Sequence, residues 1–369
     1  MYSRIAAMWS RPDDKSAPKA CYTNEDERGP CEPADHTNLS APTSEPVSHP
    51  DVAQAQTYST LTSLPEVFIK KSKKIPPRRL AFCGGGVRCV AHVGVLKAMA
   101  EEGLLHCVKE VIGISAGALF ALLWTLGYTI PQMERLALEF DFTTLRNIEP
   151  ENLLLFPETF GLDTGEGIDK LICSILKQKG FGPDITFAEL AKACSVQFRC
   201  YATELQTSRI RDMGSQGTPH MKVRTAVRAS MSLPLFYMPV KDDASSILLV
   251  DGGLLHNLPL VFLNESELQE TWGVLFMTFQ KSICSSDIQP IQNMMEAFRY
   301  IYDGAILMRN IPYIEKFKES IIAIPTDEFS ALNFEETKQE RMELIQMAMN
   351  VTKEFIYSSK KPRRRFSAA

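Results

Sequence analysis

The chain has 369 residues, of which 45% are hydrophobic and 23% are charged, as is typical of a soluble globular protein. Its net charge of −4 gives no overall basic character, so we expect no nucleic-acid partner. The nine cysteines are an odd number and form no CxxC pair, which argues against a zinc site and favours buried, reduced thiols.

The N-terminal part of the chain predicts neither secretion nor a membrane span. The first residues, MYSRIAAMWSRPDDKS, lack the apolar core of a signal peptide. The longest apolar run, around residues 117–128, is far shorter than a helix that spans a bilayer. Residues 1–64 are rich in Pro, Ser, Thr and Asp, which predicts a disordered polar leader. We therefore expect a cytoplasmic protein that meets membranes only at their surface.

Two basic segments lie on either side of the remaining sequence. The linker 65–79 contains KKSKKIPPRR, and the tail 360–369 contains KKPRRR. Such clusters bind anionic membrane surfaces, and they also occur as nuclear signals or as solvated tails. The prolines of the linker would leave its lysines on a mobile arm. The composition of these segments leaves the three alternatives open.

From Leu80 onwards, short β-like runs alternate with helical patterns. The runs are LAFC, EVIGI, VQFRCYA, ILLV, GVLFMTF and IIAI. Such alternation predicts an α/β fold, with a mostly parallel central sheet and helices on both faces. We assign residues 80–285 to the core of this domain and residues 286–359 to a C-terminal helical part of the same domain.

Three consecutive glycines, Gly84, Gly85 and Gly86, end the first predicted strand and precede a helix. Glycine weakens both kinds of element, so the triplet indicates that the backbone approaches a phosphate or a developing negative charge. A dinucleotide-binding loop requires glycine at the position of Cys89, and the Gly-Lys-Ser/Thr ending of a P-loop is absent. The triplet therefore favours an oxyanion hole, in which backbone N–H groups bind the negative charge.

The run KEVIGISAGALFALLWTLG predicts a strand, a sharp turn and a helix. The turn contains GISAG, in which Gly113 and Gly117 would let a nucleophile elbow close and expose Ser115. The N-terminus of the following helix would favour negative charge at the serine oxygen. If the first two strands are neighbours, Ser115 lies at the same edge of the sheet as the glycine triplet.

A serine nucleophile needs a base, and the sequence offers a carboxylate more clearly than a histidine. Asp251 ends the apolar run ILLV and is followed by Gly252 and Gly253, which place its carboxylate at the sheet edge. An ordinary Asp-Gly turn is the alternative for this residue. His256 follows in the stretch DGGLLHNLP, where it either packs against the loop or completes a triad.

Five motifs occur in one order along the chain, namely GGGVR, GISAG, ATELQTS, ASMSLPLFYMP and DGGLLHNLP. Together they resemble the patatin-like phospholipase family over about Leu80 to Gln280. One departure is Cys89, where the family usually has glycine; because this residue follows the glycine triplet, we expect an effect on packing and not on activity. The resemblance implies a patatin-like three-layer α/β fold with a mostly parallel central sheet.

The resemblance also implies a Ser–Asp dyad that works without a histidine. No cluster of His and Cys ligands is visible in the sequence, so we expect no metal and no cofactor. Ser115 would be the nucleophile and Asp251 the general base, and a desolvated carboxylate beside a hydroxyl would have a raised pKa. The glycine triplet would hold the oxyanion through its N–H groups. Arg88 would support the glycine loop or add positive potential beside a lipid phosphate; a solvated helix residue is the alternative.

These roles predict a lipid acyl hydrolase that cleaves fatty-acyl esters of phospholipids or related lipids. One alternative is a transacylase that uses the same serine and passes the acyl group to an alcohol or a lysolipid. A non-enzymatic lipid-binding scaffold is disfavoured because both dyad residues are present, and a nucleotide-binding domain is disfavoured by Cys89. For a lipid hydrolase, an anionic membrane surface gains weight as a partner of the two basic segments, with solvated tails as the alternative.

Overall fold

The computed structural model describes residues 74–277, 290–292, 294–326, 329 and 333–358. The leader 1–64 and the basic tail 360–369 lie outside these residues, as does the first part of the basic linker. Within the described residues the chain forms ten β-strands and ten α-helices.

The strands are β1 (Arg79–Phe82), β2 (Glu110–Ile114), β3 (Gly161–Asp163), β4 (Gln197–Glu204), β5 (Arg209–Gly214), β6 (Leu235–Tyr237), β7 (Val240–Lys241), β8 (Leu248–Asp251), β9 (Thr271–Met277) and β10 (Ile321–Pro325). The α-helices are α1 (Ala91–Glu101), α2 (Ala116–Thr125), α3 (Ile130–Glu139), α4 (Pro150–Thr159), α5 (Glu166–Gln178), α6 (Phe187–Ala193), α7 (Val223–Ser230), α8 (Glu265–Gln269), α9 (Met294–Phe317) and α10 (Lys338–Tyr357). Short 3₁₀ helices occur at Gly86–Val90, Leu105–Cys107, Phe142–Leu145, Gly252–Leu254 and Pro259–Phe262.

Eight of these strands form one sheet, in the order β10-β9-β1-β2-β4-β8-β7, with β5 also paired to β4. From β10 to β4 each strand runs parallel to its neighbour, whereas β5, β7 and β8 are antiparallel to theirs. Parallel neighbours need a crossover, and α1 supplies it between β1 and β2. The predicted α/β fold with a mostly parallel sheet is confirmed.

The register of the sheet brings three chain segments to one edge. β1 and β2 are neighbours, and Phe82 pairs with Gly113, so the glycine triplet and Ser115 follow directly at the same end. Residues 199–201 of β4 pair with both β2 and β5, and residues 202–204 pair with both β5 and β8. One edge of β4 is paired with β5 throughout. On the other edge, β2 pairs with the first part of β4 and β8 pairs with the last part. Asp251 therefore arrives beside the end of β2.

Side chains alternate between the two faces of the sheet, as the period of a strand requires. In β1, Leu80 and Phe82 join the larger core, whereas Ala81 belongs to a smaller core on the other face. The larger core is completed by α1, α2 and α5. The smaller core is covered by the 3₁₀ helix Pro259–Phe262 and by the last turns of α9.

The C-terminal helix α10 packs against α1. A Cβ atom on Gly94 would lie only 2.1 Å from the backbone oxygen of Ile345, so the two helices touch through their backbones at this point. Residues of α10, among them Leu344 and Ala348, are fully buried in the larger core. Together with β9 and β10, this helix completes the sheet and the core that begin at β1.

Candidate active site

Ser115 lies on a strained turn between β2 and α2. Its backbone has φ 54° and ψ −135°, and such a conformation costs a non-glycine residue roughly 1–3 kcal/mol. Its N–H donates to Oγ of Ser230 over 2.9 Å, and that hydroxyl donates to the carbonyl of Tyr201 over 2.6 Å. The side chain of Ser115 makes no capping bond to α2, although the residue is the N-cap of this helix. The turn thus holds its hydroxyl away from the helix backbone.

Gly113 and Gly117 allow this turn to pack tightly. A Cβ atom on Gly113 would lie 2.4 Å from Cα of Ala118. One on Gly117 would lie 2.3 Å from the carbonyl oxygen of Cys83, at the end of β1. No larger residue fits at either position without moving the backbone, so the two glycines let α2 start directly above the ends of β1 and β2.

Asp251 approaches Ser115 from the end of β8. Gly253 N–H donates to Oδ1 of Asp251 over 2.7 Å, and the Ser115 side chain also hydrogen-bonds to the carboxylate. A Cβ atom on Gly252 would lie 2.6 Å from the carbonyl oxygen of Tyr201, so only glycine lets the chain turn here. Asp251 is 3% exposed, and burial raises its pKa to about 7 although the two hydrogen bonds lower it in part. Its carboxyl group can therefore take up or release a proton near neutral pH.

Both backbone groups of Gly84 are hydrogen-bonded to Asn257. Its N–H donates to Oδ1 of Asn257 over 2.8 Å, and Nδ2 of Asn257 donates back to the Gly84 carbonyl over 2.9 Å. A Cβ atom on Gly84 would lie 2.7 Å from Cβ of Ser115, which explains the glycine as a point of close approach. Because its N–H is donated to Asn257, Gly84 can bind an oxyanion only if that bond opens, and its oxyanion role stays a prediction.

Arg88 hydrogen-bonds to the backbone of Gly85, the second glycine of the triplet. The Gly85 carbonyl accepts from the backbone N–H of Arg88 over 3.1 Å and from its Nε over 3.4 Å. The Gly85 carbonyl and the Gly86 N–H belong to the same trans peptide and point in opposite directions. Because the carbonyl points towards Arg88, the N–H of Gly86 points away from Arg88. Neither N–H of the two glycines has a hydrogen-bond partner among the described residues, and both glycines line the same cavity as Ser115. Two roles were predicted for Arg88, and these contacts match the first of them, which is support of the glycine loop.

The cavity that contains these groups encloses about 1330 Å³ of empty space, its open mouth included. Ser115, Asp251 and the glycine triplet all line it. Most of its other walls are apolar, and they include Phe142, Leu145, Ile168, Leu233, Phe276 and Ile314. The polar groups therefore meet at one place in a largely apolar pocket, which is the usual character of a small-molecule site.

His256 lies outside this cavity lining. Its ring packs edge-on against Phe262 and Tyr313, with centroids 5.9 Å and 5.3 Å away. Burial and the nearby charge of Arg309 lower the pKa of His256 below its ordinary value. These contacts correspond to the packing role for His256, and they include neither member of the Ser–Asp pair.

The carbonyl of Cys83, just before the glycine triplet, accepts from two buried side chains. Nε2 of His92 lies 3.0 Å from it, and Sγ of Cys89 lies 3.6 Å from it. Burial lowers the pKa of His92 to about 3, so this ring is neutral and donates as an N–H group. Cys89 is fully buried, as expected for a residue that acts through packing.

Two residues that hold the site together have no role that the sequence predicts. Asn257 clamps Gly84, and Ser230 fixes the N–H of Ser115. Both residues lie inside motifs that were noted, DGGLLHNLP and ASMSLPLFYMP, but the motif letters do not say which atoms they bind. The available signal was that both are small polar residues in otherwise apolar runs.

Metal ligands and membrane spans are both missing from the part of the chain that the structure describes. There, no three His, Cys, Asp or Glu side chains cluster so that they could hold a metal ion. No described helix combines the length and the apolar character needed to cross a bilayer.

The chain is similar to known proteins over most of the described fold. The family model for patatin-like phospholipase matches residues 80–263. The uncharacterized protein YqhO of Bacillus subtilis is 28% identical over 291 residues, which cover 74% of this chain and 96% of that protein. A putative patatin-like phospholipase domain-containing protein of Caenorhabditis elegans is 31% identical over 184 residues, 49% of this chain and 15% of that protein.

Among solved structures, VipD from Legionella pneumophila matches with a TM-score of 0.52 and 14% identity, covering 77% of this chain and 67% of that one. At this identity the match shows a shared fold alone. The family model includes the segments that carry Ser115, Asp251 and the glycine triplet, and it confirms the resemblance seen in the five motifs. Residues 80–263 of this chain therefore belong to the patatin-like phospholipase family.

Proposed function

We propose that the protein is a lipid acyl hydrolase that cleaves fatty-acyl esters through Ser115 and Asp251. Membership in a phospholipase family supports a lipid ester hydrolase in general. The observation that carries the specific proposal is a serine on a strained elbow that lines the same cavity as a buried carboxylate, whose pKa is raised by burial to about 7 although Ser115 lowers it in part. A serine hydroxyl needs such a base because it is a weak nucleophile by itself.

In the acylation step, Oγ of Ser115 attacks the ester carbonyl carbon and the carboxylate of Asp251 takes the hydroxyl proton. The carbonyl oxygen becomes an oxyanion, which the N–H groups of Gly85 and Gly86 bind. When the tetrahedral intermediate collapses, the bond to the alcohol breaks and Asp251 returns the proton to the leaving alkoxide. Water then repeats the sequence on the acyl-serine, with Asp251 again as base, and releases the fatty acid.

The apolar walls of the cavity suit the acyl part of the substrate. Each buried methylene group of a fatty-acyl chain contributes about 0.8 kcal/mol of transfer free energy. Phe142, Leu145 and Ile168 come from the segment after α3 and from α5, and Ile314 comes from α9. These elements surround the Ser–Asp pair, so an acyl chain bound between them presents its ester to Ser115.

A panel of phospholipids, lysophospholipids and neutral acyl esters tests the proposal. We expect the wild type to release fatty acid from at least one lipid class, and Ser115→Ala to release none. Excess chelator should leave the rate unchanged, since the two side chains and two backbone N–H groups supply every step. A chelator-sensitive rate restored by calcium, or equal release by Ser115→Ala, would contradict the mechanism.

A transacylase would share the acyl-serine and differ only in what accepts the acyl group. Product analysis with added lysolipid or alcohol separates the two reactions. Free fatty acid as the main product supports the hydrolase, and acylated acceptor as the main product supports the transacylase.

Membrane contact through the basic segments remains part of this proposal, with one correction. Lys74 is not on a mobile arm: its Nζ donates to the Glu319 carbonyl over 2.8 Å and lies 3.9 Å from the centroid of the Phe355 ring. Arg79 is also engaged, because its Nε lies 2.6 Å from Oε2 of Glu110. Both residues lie before or at the start of β1, at the sheet edge opposite to Ser115. They are tied into the fold and are not available to a lipid surface.

The basic residues left for that role are Lys70, Lys71, Lys73, Arg78, Lys360, Lys361 and the arginines 363–365. Replacing all of them with glutamine should weaken binding to anionic vesicles at low salt, since each contributes about 1 kcal/mol that salt screens. Hydrolysis of a soluble short-chain ester should not change. Vesicle sedimentation measures the binding, and equal sedimentation of variant and wild type at low salt would leave these segments without a membrane role.

A further inference from the structure

Asn310 is a polar residue in an apolar stripe of α9. The residues one turn before and one turn after it, Ile306 and Ile314, line the active-site cavity, and Asn310 lines it between them. Side chains spaced by four residues share a helix face, so Asn310 occupies the cavity side of α9. It is 4% exposed, and it therefore presents its amide to the cavity and not to the outer surface of the protein.

The side-chain oxygen of Asn310 is buried and has no hydrogen-bond partner among the described residues. Buried acceptors of this kind are rare in native structures and call for a specific reason. Other polar groups of the cavity are already paired: Asn257 binds both backbone groups of Gly84, and the hydroxyl of Tyr237 donates to the Leu145 carbonyl. With respect to the described part of the chain, Asn310 thus offers an unpaired acceptor inside the cavity.

The chemistry of this acceptor restricts its partner. A saturated acyl chain, an ester carbonyl and a phosphodiester have no hydrogen to donate. An ammonium group donates, but apolar walls do not compensate the loss of its hydration. A neutral hydroxyl group donates without that penalty, and its own oxygen can accept from an amide N–H in return.

We propose that Oδ1 of Asn310 accepts a hydrogen bond from a hydroxyl group of the lipid substrate, which makes Asn310 a specificity residue. This inference rests on the proposed hydrolase function and adds a substrate feature to it. Two parts of a lipid can supply the hydroxyl: the glycerol backbone of a monoacyl lipid, or a hydroxylated acyl chain. A site that pairs with a hydroxyl rejects the analogue that lacks it, because the buried acceptor then stays unpaired.

Two matched pairs of short-chain, monomeric substrates distinguish the sources. The first pair is a 1-acyl-glycerophosphocholine and the same lipid without its glycerol hydroxyl. The second is a nitrophenyl ester of a hydroxylated fatty acid and the ester of the unsubstituted acid. We expect the wild type to prefer the hydroxylated member of one pair by about tenfold in kcat/KM. The pair that shows the preference identifies the source.

Asn310→Leu, which has nearly the same volume, should remove that preference and keep the activity on the member without a hydroxyl. Asn310→Ala serves as a second variant if the leucine does not fold. Met308→Leu is the matched control, because Met308 lies on the exposed side of the same helix. It should keep both the activity and the preference.

Three results would overturn the inference: no preference in either pair for the wild type, a preference that survives in both Asn310 variants, or an equal loss on both members of a pair. If the wild type hydrolyses no lipid at all, the proposed function fails by itself. In that case, thermal shift measures binding of the same lipids to Ser115→Ala, independently of catalysis. Tighter binding of the hydroxylated member, lost when Asn310→Leu is added, supports the inference. Equal binding of both members to Ser115→Ala overturns it.

Discussion

Ser115→Ala and Asp251→Asn should each lower kcat/KM for ester hydrolysis by a factor on the order of 10⁴ or more, with the fold retained. The two side chains act as one unit, so losing either should cost nearly as much as losing both. Ser115→Ala removes the nucleophile, and Asp251→Asn keeps the shape and the acceptor for Gly253 N–H but removes the base. Steady-state kinetics on a short-chain ester measures the loss, with circular dichroism as the test of folding.

His256→Ala is the control for this pair. Because His256 packs against Phe262 and Tyr313 and lies outside the cavity, its removal should leave most of the activity. Substantial turnover by folded Asp251→Asn would contradict the dyad. Loss of activity in folded His256→Ala would instead support a Ser–Asp–His triad.

The activity should depend on pH through Asp251. A general base must be deprotonated in the free enzyme, and burial raises the pKa of Asp251 to about 7. We therefore expect kcat/KM to fall about tenfold per pH unit well below pH 7 and to level off above it. A profile of kcat/KM from pH 5 to pH 9 tests this. A midpoint near the ordinary value of an aspartate, with full activity at pH 5, would contradict the role of a buried base.

The raised pKa of Asp251 also affects stability: activity should rise with pH, whereas the contribution of Asp251 to stability should fall. The folded protein keeps the Asp251 proton up to about pH 7, whereas the unfolded chain releases it near pH 3.8. The contribution of Asp251 to stability is therefore fully present below pH 3.8 and is lost as the pH rises to about 7. The shift corresponds to a penalty of at most roughly 4 kcal/mol at alkaline pH.

Asp251→Asn cannot ionise, so it should unfold at a higher temperature than the wild type at pH 8, and the difference should vanish near pH 4. Thermal unfolding at the two pH values measures this difference. A lower unfolding temperature at pH 8 for the variant would show that the carboxylate is stabilised by its surroundings, which contradicts a raised pKa.

Much of the fold and part of the site follow from local sequence. The glycine triplet, GISAG and the glycines after Asp251 each end a short apolar run, and parallel pairing of β1 with β2 brings the first two to one edge. The alternation of runs and helical patterns was sufficient to predict the sheet. Each feature can be recognised from a few neighbouring residues, and parallel strand pairing is enough to bring the segments together in space.

Pairings between distant residues could not be predicted in this way. The bond between Gly84 and Asn257 joins residues 173 positions apart, and it pairs the first N–H of the glycine triplet. The contact of Lys74 with Glu319 likewise spans 245 positions and fixes a residue that looks mobile in sequence. In each case the partner is one of many residues of its type, so composition and spacing give no means of choosing it.

Covalent labelling tests most directly whether Ser115 is a nucleophile activated by Asp251. A fluorophosphonate reacts covalently with an activated serine, and peptide mass spectrometry locates the adduct. We predict one adduct per chain on Ser115, formed faster at pH 8 than at pH 5, strongly slowed in Asp251→Asn and absent in Ser115→Ala. An adduct on another residue, or labelling of Asp251→Asn at the rate of the wild type, would contradict the account.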